Sequence, residues 1–464
     1  MKRKGASSGL AVALLVVGLI VGAGLTYALT SSGSTTPSTT TSTVTTTVGA
    51  GATVTSTTTL LSTTTVTTGG SSGSGGLSGT VTIGDLTDLS GQLSAIGTQQ
   101  KVAINLAITD INNYLAATGQ TKVQFAAAHE DTGLNPATAL TDLQTLSSDG
   151  VQVVVGPLTS SEASNVLQYA DQNHIVLISP SSTAISLAIP NDYLFRLVPN
   201  DAAQSFAIAK ALASENVKDI VVINQQSAYG TGLANATINR FKALGGNVQD
   251  EVQYSSTATD FTPALTQAQT DYQAAVAKYG ASSVAVLAIG FQEVGQMLIQ
   301  AKSSFPGLLS ATWYGSDGES QNTDFTNSTS AVAPIATQVK LISTIGLSAA
   351  ATAKTNAFDS EFTAADGQAP DSYAINAYDA TWIAALSVLA AGQNSGPAIQ
   401  KALPTVANNY FGASGWTQLQ SSGDEAPVGY SIYEVVTQGG STQWVLAGTY
   451  SAATDAVTWN TGYP

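Results

Sequence analysis

Hydrophobic and polar positions alternate in a regular order from Thr80 onward. Short runs of β-branched and apolar residues predict strands, and longer stretches with apolar residues every three or four positions predict helices. The predicted strands are Thr80–Gly84, Val123–Ala127, Val151–Val155, Ile175–Ile178, Ile220–Ile223, Asn247–Tyr254, Ser283–Ile289 and Ala311–Tyr314. The predicted helices are Gln99–Tyr114, Asn135–Ser148, Ser161–Gln172, Ala202–Ser214, Gly232–Leu244, Phe261–Tyr279 and Val294–Ser303. This order predicts an α/β fold with mainly parallel sheets flanked by helices.

The alternating region is too long for one hydrophobic core. It spans roughly 385 residues, and single cores stop growing at about 250–300 residues. We therefore expect two lobes, with the tail Trp416–Trp459 forming β-hairpins because it is rich in Tyr, Val and Trp.

The N-terminal segment has a different pattern. Lys2, Arg3 and Lys4 precede an apolar run from Leu10 to Leu29, which predicts a signal or membrane anchor over residues 1–29. A cleaved secretory signal, an uncleaved anchor and a prepilin-like signal cut before the apolar run all fit this pattern. Residues 30–78 are nearly all Ser, Thr and Gly, which predicts a disordered stalk.

Composition and charge narrow the possible partners. From residue 79 onward the chain has 12 basic and 30 acidic side chains, a net charge of −18. Such a surface repels phosphate backbones, so we expect no nucleic-acid partner. The chain has no Cys, which excludes disulfides, thiolate metal ligands and cysteine nucleophiles.

No group of residues in the sequence predicts catalysis. The two histidines, His129 and His174, lack the spacing of metal ligands, although Glu130 and Asp131 follow His129. The sequence has no nucleophile elbow, phosphate-binding loop or dinucleotide fingerprint. We therefore expect a protein that is not an enzyme, with no catalytic residues, no cofactor and no metal.

Ligands of parallel α/β sheets bind beyond the carboxyl ends of the strands. The loops that follow the predicted strands are Asp85–Gly97, His129–Leu134, Gly156–Ser161, Ser179–Thr183, Asn224–Gly232, Gly290–Gly295 and Gly315–Gln321. A helix start with Ser160, Ser161 and Glu162 provides free backbone N–H groups, which suit an anion or carboxylate.

At these loops the chain resembles the branched-chain amino-acid-binding (Leu/Ile/Val-binding) family of ABC transporter substrate-binding proteins. The matching segments are Gly156–Ser161, Ile178–Thr183, Phe195–Asn200, Ala228–Ala234, Gly290–Met297, Gly315–Gly318 and Tyr373–Ala380. The resemblance implies a two-lobed type I periplasmic-binding fold that covers residues from about Thr80 to Tyr450. The anchor and the Ser/Thr stalk resemble those of archaeal surface binding proteins.

The resemblance also implies a ligand site. Ser160 and Thr183 would hold a ligand carboxylate, and the carbonyl of Ser181 and the carboxylate of Asp317 would take the ammonium group. Tyr229 would close over the ligand from the other lobe. Ile96, Leu158 and Tyr373 would approach the ligand side chain. A zwitterion needs donors at one end and an acceptor at the other, which this set supplies.

These residues also have ordinary structural interpretations. In that case Ser160 has no role beyond capping its helix, Thr183 and Asp317 serve as turn residues alone, and Tyr229 packs at the surface without contacting a ligand. The family more often has Glu where this chain has Asp317, one methylene shorter. The shorter side chain is compatible with a bulkier ligand, with a water bridge to the ligand, or with an amide or urea as the ligand.

The resemblance divides the chain into four parts. Lobe one is expected at residues 79–198 and 344–414, and lobe two at 199–343 and 415–464, after the anchor (1–29) and the stalk (30–78). We expect a receptor on the extracellular face of the membrane that closes its lobes on an amino acid, branched-chain or otherwise apolar, and delivers it to an ABC transporter permease. The alternatives are an amide or urea receptor, or a surface sensor or adhesion module that reuses the fold.

Overall fold

The computed structural model describes residues 41–48, 52–59, 77–347 and 352–462. Strands β1 (Thr41–Val48) and β2 (Ala52–Thr59) pair antiparallel with each other. This pairing differs from the predicted disorder of the stalk, and its composition explains the difference because Thr and Val favour extended backbone. The predicted anchor, residues 1–29, and most of the predicted stalk lie outside the described residues.

The first sheet of the body has five parallel strands. Its strands are β3 (Gly79–Thr87), β4 (Val123–Asp131), β5 (Val153–Val155), β6 (Val176–Ser179) and β7 (Leu194–Arg196). They lie in the order β4-β3-β5-β6-β7. The helices that follow its strands are α1 (Ser94–Ala117), α2 (Pro136–Ser148) and α3 (Ser160–Asn173). This arrangement confirms the predicted alternation of strands and helices.

The second sheet has eight strands, and the five that come first in the chain, β8 to β12, are parallel. Its order is β15-β14-β13-β12-β11-β10-β8-β9. The strands are β8 (Asp219–Gln226), β9 (Asn247–Ser255), β10 (Val284–Ile289), β11 (Thr312–Tyr314), β12 (Ile342–Gly346), β13 (Gly429–Gln438), β14 (Ser441–Ser451) and β15 (Ala456–Trp459). The helices beside them are α4 (Asp201–Ser214), α5 (Ala228–Ala243), α6 (Thr262–Tyr279), α7 (Glu293–Ser304) and α8 (Ala333–Gln338). The last three strands pair antiparallel, as the predicted hairpins require.

Helices cover both faces of each sheet. Neighbouring strand residues point to opposite sides, so each strand contributes to two cores. In β5, Val153 and Val155 pack in one core with α1, and Val154 packs in another with α2 and α3. The second sheet is covered in the same way, by α6 to α8 on one face and by α4 and α5 on the other. Continuous apolar strands of this kind are typical of parallel sheets between two helix layers.

Three late helices return to the first sheet. They are α9 (Ala353–Asp366), α10 (Ser372–Ala391) and α11 (Gly396–Ala407), and they share a core with α1. These helices fall within residues 344–414, which were expected in lobe one. The strand β12 lies wholly in the second sheet, whereas residues from 344 onward were expected in lobe one. The lobe boundaries themselves stay a prediction.

Helix α10 is the one helix of the described residues that is long and apolar enough to cross a membrane. In the structure 56% of its apolar stretch is buried inside the body. Near its middle lies Asp379, which is buried and accepts hydrogen bonds from the N–H groups of Ala413 and Ser414 at 2.9 and 2.7 Å. The helix therefore serves as a core element of the body, with a carboxylate that organises the following loop.

Several predicted boundaries differ from the structure. His129 was expected on a loop but lies inside β4, where it pairs in register with Asp85 of β3. Its ring contacts the buried carboxylate of Asp85 and the side chain of Asn105. Tyr229 was placed on a loop but lies in the first turn of α5, whose start is capped by Ser227. Tertiary pairing and capping extend these elements beyond the local hydrophobic pattern.

Candidate ligand-binding site

Loops at the carboxyl ends of both sheets meet around one cavity. All eight residues proposed from the sequence line it: Ile96, Leu158, Ser160, Ser181, Thr183, Tyr229, Asp317 and Tyr373. The cavity has a volume of about 20 Å³. The strands that lead into these loops are β3, β5 and β6 of the first sheet and β8, β10 and β11 of the second. This is the edge at which parallel α/β sheets bind their ligands.

The start of helix α3 forms one wall of the cavity. Thr159 is its N-cap and forms a capping box with Glu162, whose carboxylate accepts the Thr159 N–H at 3.1 Å and its hydroxyl at 2.7 Å. Ser160 therefore occupies the first helical position, where backbone N–H groups have no partner within the helix. Its side chain is buried beside the cavity. A ligand carboxylate would suit this position because the helix dipole is positive at this end.

Ser160 also organises the loop that follows β6. Its hydroxyl oxygen accepts the N–H groups of Thr183 and Ala184, each at 3.1 Å. Thr183 was expected to hold a ligand carboxylate, but in this structure its backbone N–H is donated to Ser160. Ser181 donates its hydroxyl to the carbonyl of Leu158 at 2.8 Å, which ties the two loops of this wall together. We call this wall, made of Ser160, Ser181 and Thr183, the donor wall, although the resemblance assigns the Ser181 carbonyl to the ligand ammonium group.

The opposite wall is built around the carboxylate of Asp317, in the loop after β11. Tyr229 places its hydroxyl 2.7 Å from Asp317 Oδ1, and Tyr373 donates its hydroxyl to Oδ2 at 2.6 Å. The loop is fixed by Glu319, which accepts the N–H of Ser316 at 2.7 Å and the N–H of Gly290 at 2.8 Å. We call this wall, made of Asp317, Tyr229 and Tyr373, the acid wall.

The bond between Tyr373 and Asp317 joins the two halves of the site. Tyr373 lies at the start of α10, which packs on the first sheet, whereas Asp317 follows a strand of the second. Asp371 caps α10 by accepting the N–H of Ala374 at 2.7 Å, which fixes the start of the helix that carries Tyr373. The carboxylate of Asp317 therefore receives hydroxyl groups from both sides of the cavity.

Burial controls the charge of the acid wall. Burial raises the pKa of Asp317, and hydrogen bonds from Tyr373, Tyr229 and Gln204 oppose that rise. Burial and the nearby Asp317 also raise the pKa of Asp201, a fully buried residue in the first turn of α4. Burial raises the pKa of Glu319 to about 8. A cationic group at Asp317 would offset this desolvation by stabilising the ionised carboxylate.

Four cavity residues were missed by sequence reasoning: Leu93, Thr159, Phe291 and Gly318. Phe291 stacks on Tyr229 with ring centroids 5.2 Å apart and planes 15° apart. Phe291 lies in the loop Gly290–Gly295, which follows a predicted strand. A single aromatic residue in a loop belongs to no hydrophobic period, so the sequence pattern did not identify it as a cavity residue. Together with Ile96 and Leu158, Leu93 and Phe291 give the cavity an apolar part suited to a hydrocarbon side chain.

The described residues contain no group of three or more His, Asp or Glu side chains arranged to hold a metal ion. His129 pairs with one carboxylate, that of Asp85, and His174 ends α3 in a left-handed conformation with φ of 58°. His174 thus lies in the turn between α3 and β6.

Comparison with known proteins agrees with this fold. The periplasmic binding protein family model matches residues 80–441. An uncharacterised protein of Methanocaldococcus jannaschii is 31% identical over 404 residues, which cover 83% of this chain and 93% of that protein. A Leu/Ile/Val-binding protein of Rhizobium johnstonii is 30% identical over 253 residues, which cover 53% of this chain and 63% of that protein.

Solved structures share the fold at lower identity. A leucine-binding protein of Thermotoga maritima aligns with a TM-score of 0.67 at 20% identity, covering 81% of this chain and 99% of its own. A substrate-binding protein of Streptococcus pneumoniae in complex with isoleucine has a TM-score of 0.62 at 23% identity, covering 79% and 99%. A solute-binding protein of Rhodopseudomonas palustris in complex with 3,4-dihydroxybenzoic acid has a TM-score of 0.63 at 18% identity, covering 80% and 98%.

These matches identify both the fold and the class of protein. Members of the family are extracytoplasmic solute receptors of ABC transporters, with two lobes of the type I fold, and they are not enzymes. The chain belongs to the periplasmic binding protein family and is a homologue of its branched-chain amino-acid binders.

Proposed function

We propose that this receptor captures a small amino acid with an apolar side chain, in the branched-chain class, between the donor wall and the acid wall. The observation that carries the proposal is the opposed polarity of the two walls. Hydroxyl and backbone donors at the start of α3 suit a carboxylate, and Asp317 across the cavity suits an ammonium group. Leu93, Ile96, Leu158 and Phe291 suit the side chain between them.

Ligand entry requires the walls to separate. A volume of about 20 Å³ is far below the roughly 300–1,000 Å³ of ligand pockets in general. An amino acid would replace the contact that Tyr229 makes with Asp317 Oδ1, and its ammonium group would take over that oxygen while Tyr373 keeps its bond to Oδ2. Opening and closing of two lobes around a hinge provides this movement in two-domain receptors.

A second candidate ligand is a small amide such as urea. Its support is the burial of Asp317, which raises the pKa of that side chain and favours the neutral carboxyl group. A neutral carboxyl both donates and accepts a hydrogen bond, as a primary amide does. The two candidate ligands therefore differ in the charge of the group that would bind Asp317: an ammonium group is positive, and an amide is neutral.

The partner and location follow from the proposed transport role. The receptor delivers its ligand to an ABC transporter permease at the outer face of the membrane, and residues 1–29 attach it there. Support for the attachment comes from the basic and apolar pattern of these residues. Fractionation of cells tests it: the full chain should stay with membranes at high salt and be released by detergent.

Thermal unfolding of the full chain with single ligands tests the ligand class. A ligand at about 100 times its Kd stabilises the folded state by about 2.7 kcal/mol, which raises the Tm measurably. We expect L-leucine, L-isoleucine or L-valine to raise the Tm, and urea at millimolar concentration and 3,4-dihydroxybenzoate to leave it unchanged. A rise with urea alone would replace the first candidate by the second. A rise with the aromatic acid alone would contradict both candidates.

A further inference from the structure

Arg196 forms a fully buried ion pair at the edge of the first sheet. Its side chain and that of Asp424 are 0% and 1% exposed, and Nε donates to Asp424 Oδ1 at 2.6 Å. Arg196 ends β7, whereas Asp424 lies in the linker 408–428, which runs from α11 on the first sheet to β13 in the second. The pair thus fixes a segment that connects the two halves of the molecule.

The same guanidinium group holds a loop of the cavity. Its Nη1 donates to the carbonyls of Ser182 and Ala184 at 3.0 and 2.9 Å. Ser160 accepts the N–H groups of Thr183 and Ala184 from the other side. The backbone around Thr183 is therefore held by a side chain on each side, and Ser181 and Thr183 of this loop line the cavity.

Asp424 also contacts the segment 197–200, which connects β7 of the first sheet to α4 beside the second sheet. Its Oδ2 accepts Asn200 Nδ2 at 2.9 Å, and Asn200 caps α4, the first helix beside the second sheet. The backbone of Arg196 pairs with the linker as well, because it accepts the N–H of Glu425 at 2.9 Å and donates to Gly423 at 3.0 Å. Two segments that connect the sheets, at Asn200 and at Asp424, are therefore linked through Arg196 to one loop of the cavity.

We propose that Arg196 is a positioning residue that couples the linker, through Asp424, to the Ser181–Ala184 loop of the ligand cavity. The inference rests on the proposed function, because it gives that loop a ligand to hold. Movement of the linker during opening would shift Asp424, release the guanidinium group and loosen the carbonyls of Ser182 and Ala184. A Lys at position 196 would keep the charge but lose the planar set of donors that reaches both the carboxylate and the carbonyls.

Hydrogen exchange in the unliganded full chain tests the coupling without any ligand. We expect the amides of Thr183 and Ala184 to exchange at least 10-fold faster in D424N and R196K than in the wild type. N200A removes one bond to Asp424 and is the milder variant if the first two fold poorly, with an increase of a few-fold. The control D455N breaks the ion pairs of Asp455 with Lys210 and Arg240 and should leave both amides unchanged.

A purely stabilising ion pair predicts a different result. D424N, R196K and N200A would then lower the Tm without selective exchange at Thr183 and Ala184, and that result would overturn the proposal. With L-leucine as probe, D424N should raise the Kd at least 10-fold through faster dissociation. A wild type that does not bind L-leucine would count against the proposed function alone, since the exchange data still test the coupling.

Discussion

The donor wall and the acid wall face the same cavity but are held in place by different means. Ser160, Ser181 and Thr183 are fixed by hydrogen bonds between hydroxyl groups and backbone atoms, none of which titrates near neutral pH. Asp317 is fixed by phenol hydroxyls and by the loop that Glu319 holds. The donor wall thus has no titrating side chain of its own, although Glu162 caps the helix that carries Ser160, whereas the charge of the acid wall depends on pH and on the ligand.

This difference assigns separate tasks to the walls. A wall with fixed dipoles recognises a carboxylate without reorganisation, which favours affinity. A wall whose carboxylate is desolvated gains most from a cation, and this favours discrimination between charged and neutral ligands. Substitutions in the two walls should therefore differ in their dependence on pH as well as in size.

The largest effect is expected for D317N. This change keeps the size of the side chain but removes the negative charge that would pair with the ligand ammonium group. Charge-assisted hydrogen bonds contribute about 1.5–3 kcal/mol, so the Kd for L-leucine should rise about 10- to 100-fold. Isothermal titration calorimetry measures it, with D260N, a change at an exposed carboxylate, as the control. Unchanged affinity in D317N would remove the acid wall from ligand recognition.

S160A should weaken binding by about 10-fold and also lower the Tm. The change removes a donor to the ligand carboxylate and leaves the N–H groups of Thr183 and Ala184 without their acceptor, a loss of about 1–3 kcal/mol. S161A, at the next position of the same helix, is the matched control and should bind normally. The loss in S160A should vary less between pH 6 and pH 8 than the loss in D317N, because Ser160 itself does not titrate in this range.

Stability should rise on acidification. Burial raises the pKa of Glu162 and of Glu319 to about 8, whereas an unfolded Glu titrates near 4.3. The folded chain therefore holds protons that the unfolded chain releases, so this contribution is complete below about pH 4 and is lost as the pH rises to 8. The Tm should be several degrees higher at pH 5 than at pH 8.

E162Q tests the origin of this pH dependence. Gln can still accept the N–H and hydroxyl of Thr159, so the cap of α3 is kept while the titrating proton is removed. The variant should match the wild type at pH 5 and exceed its Tm at pH 8. An equal fall in Tm between the two pH values in both proteins would show that other groups govern the dependence.

The smallest effect is expected for Y373F. The change removes one neutral hydroxyl donor to Asp317, and we expect the Kd for L-leucine to rise by a few-fold, consistent with about 0.5–1.5 kcal/mol for such a bond. Y378F, which breaks the bond of Tyr378 to Asp110 elsewhere on α10, is the control. A loss as large as that of D317N would mean that the hydroxyl contacts the ligand directly.

Most of the fold followed from the sequence because parallel strands buried on both faces give continuous apolar runs. Val153–Val155 and Ile220–Ile223 are such runs, and their neighbours are clear amphipathic helices. Positions decided by tertiary contacts were harder. The extension of β4 through His129 depends on its register with β3, and β12 depends on its pairing with β11 and β13.

The candidate site was predicted through family resemblance at strand-end loops rather than through a local pattern. All eight residues line one cavity, although their roles toward a ligand stay predictions. Phe291 was missed because its stacking on Tyr229 joins residues that are distant in sequence. The use of the Thr183 N–H by Ser160 was missed for the same reason, since both loops must be folded before the bond exists.

Asp379 has a consequence for export that the folded structure alone does not require. A chain that crosses a membrane unfolded would present α10 as a 20-residue segment whose apolar character resembles that of a membrane span. An Asp near the centre of such a segment disfavours its release into lipid by about 2.5–3.5 kcal/mol. The carboxylate that later accepts the N–H groups of Ala413 and Ser414 would thus also keep the segment from stopping in the bilayer.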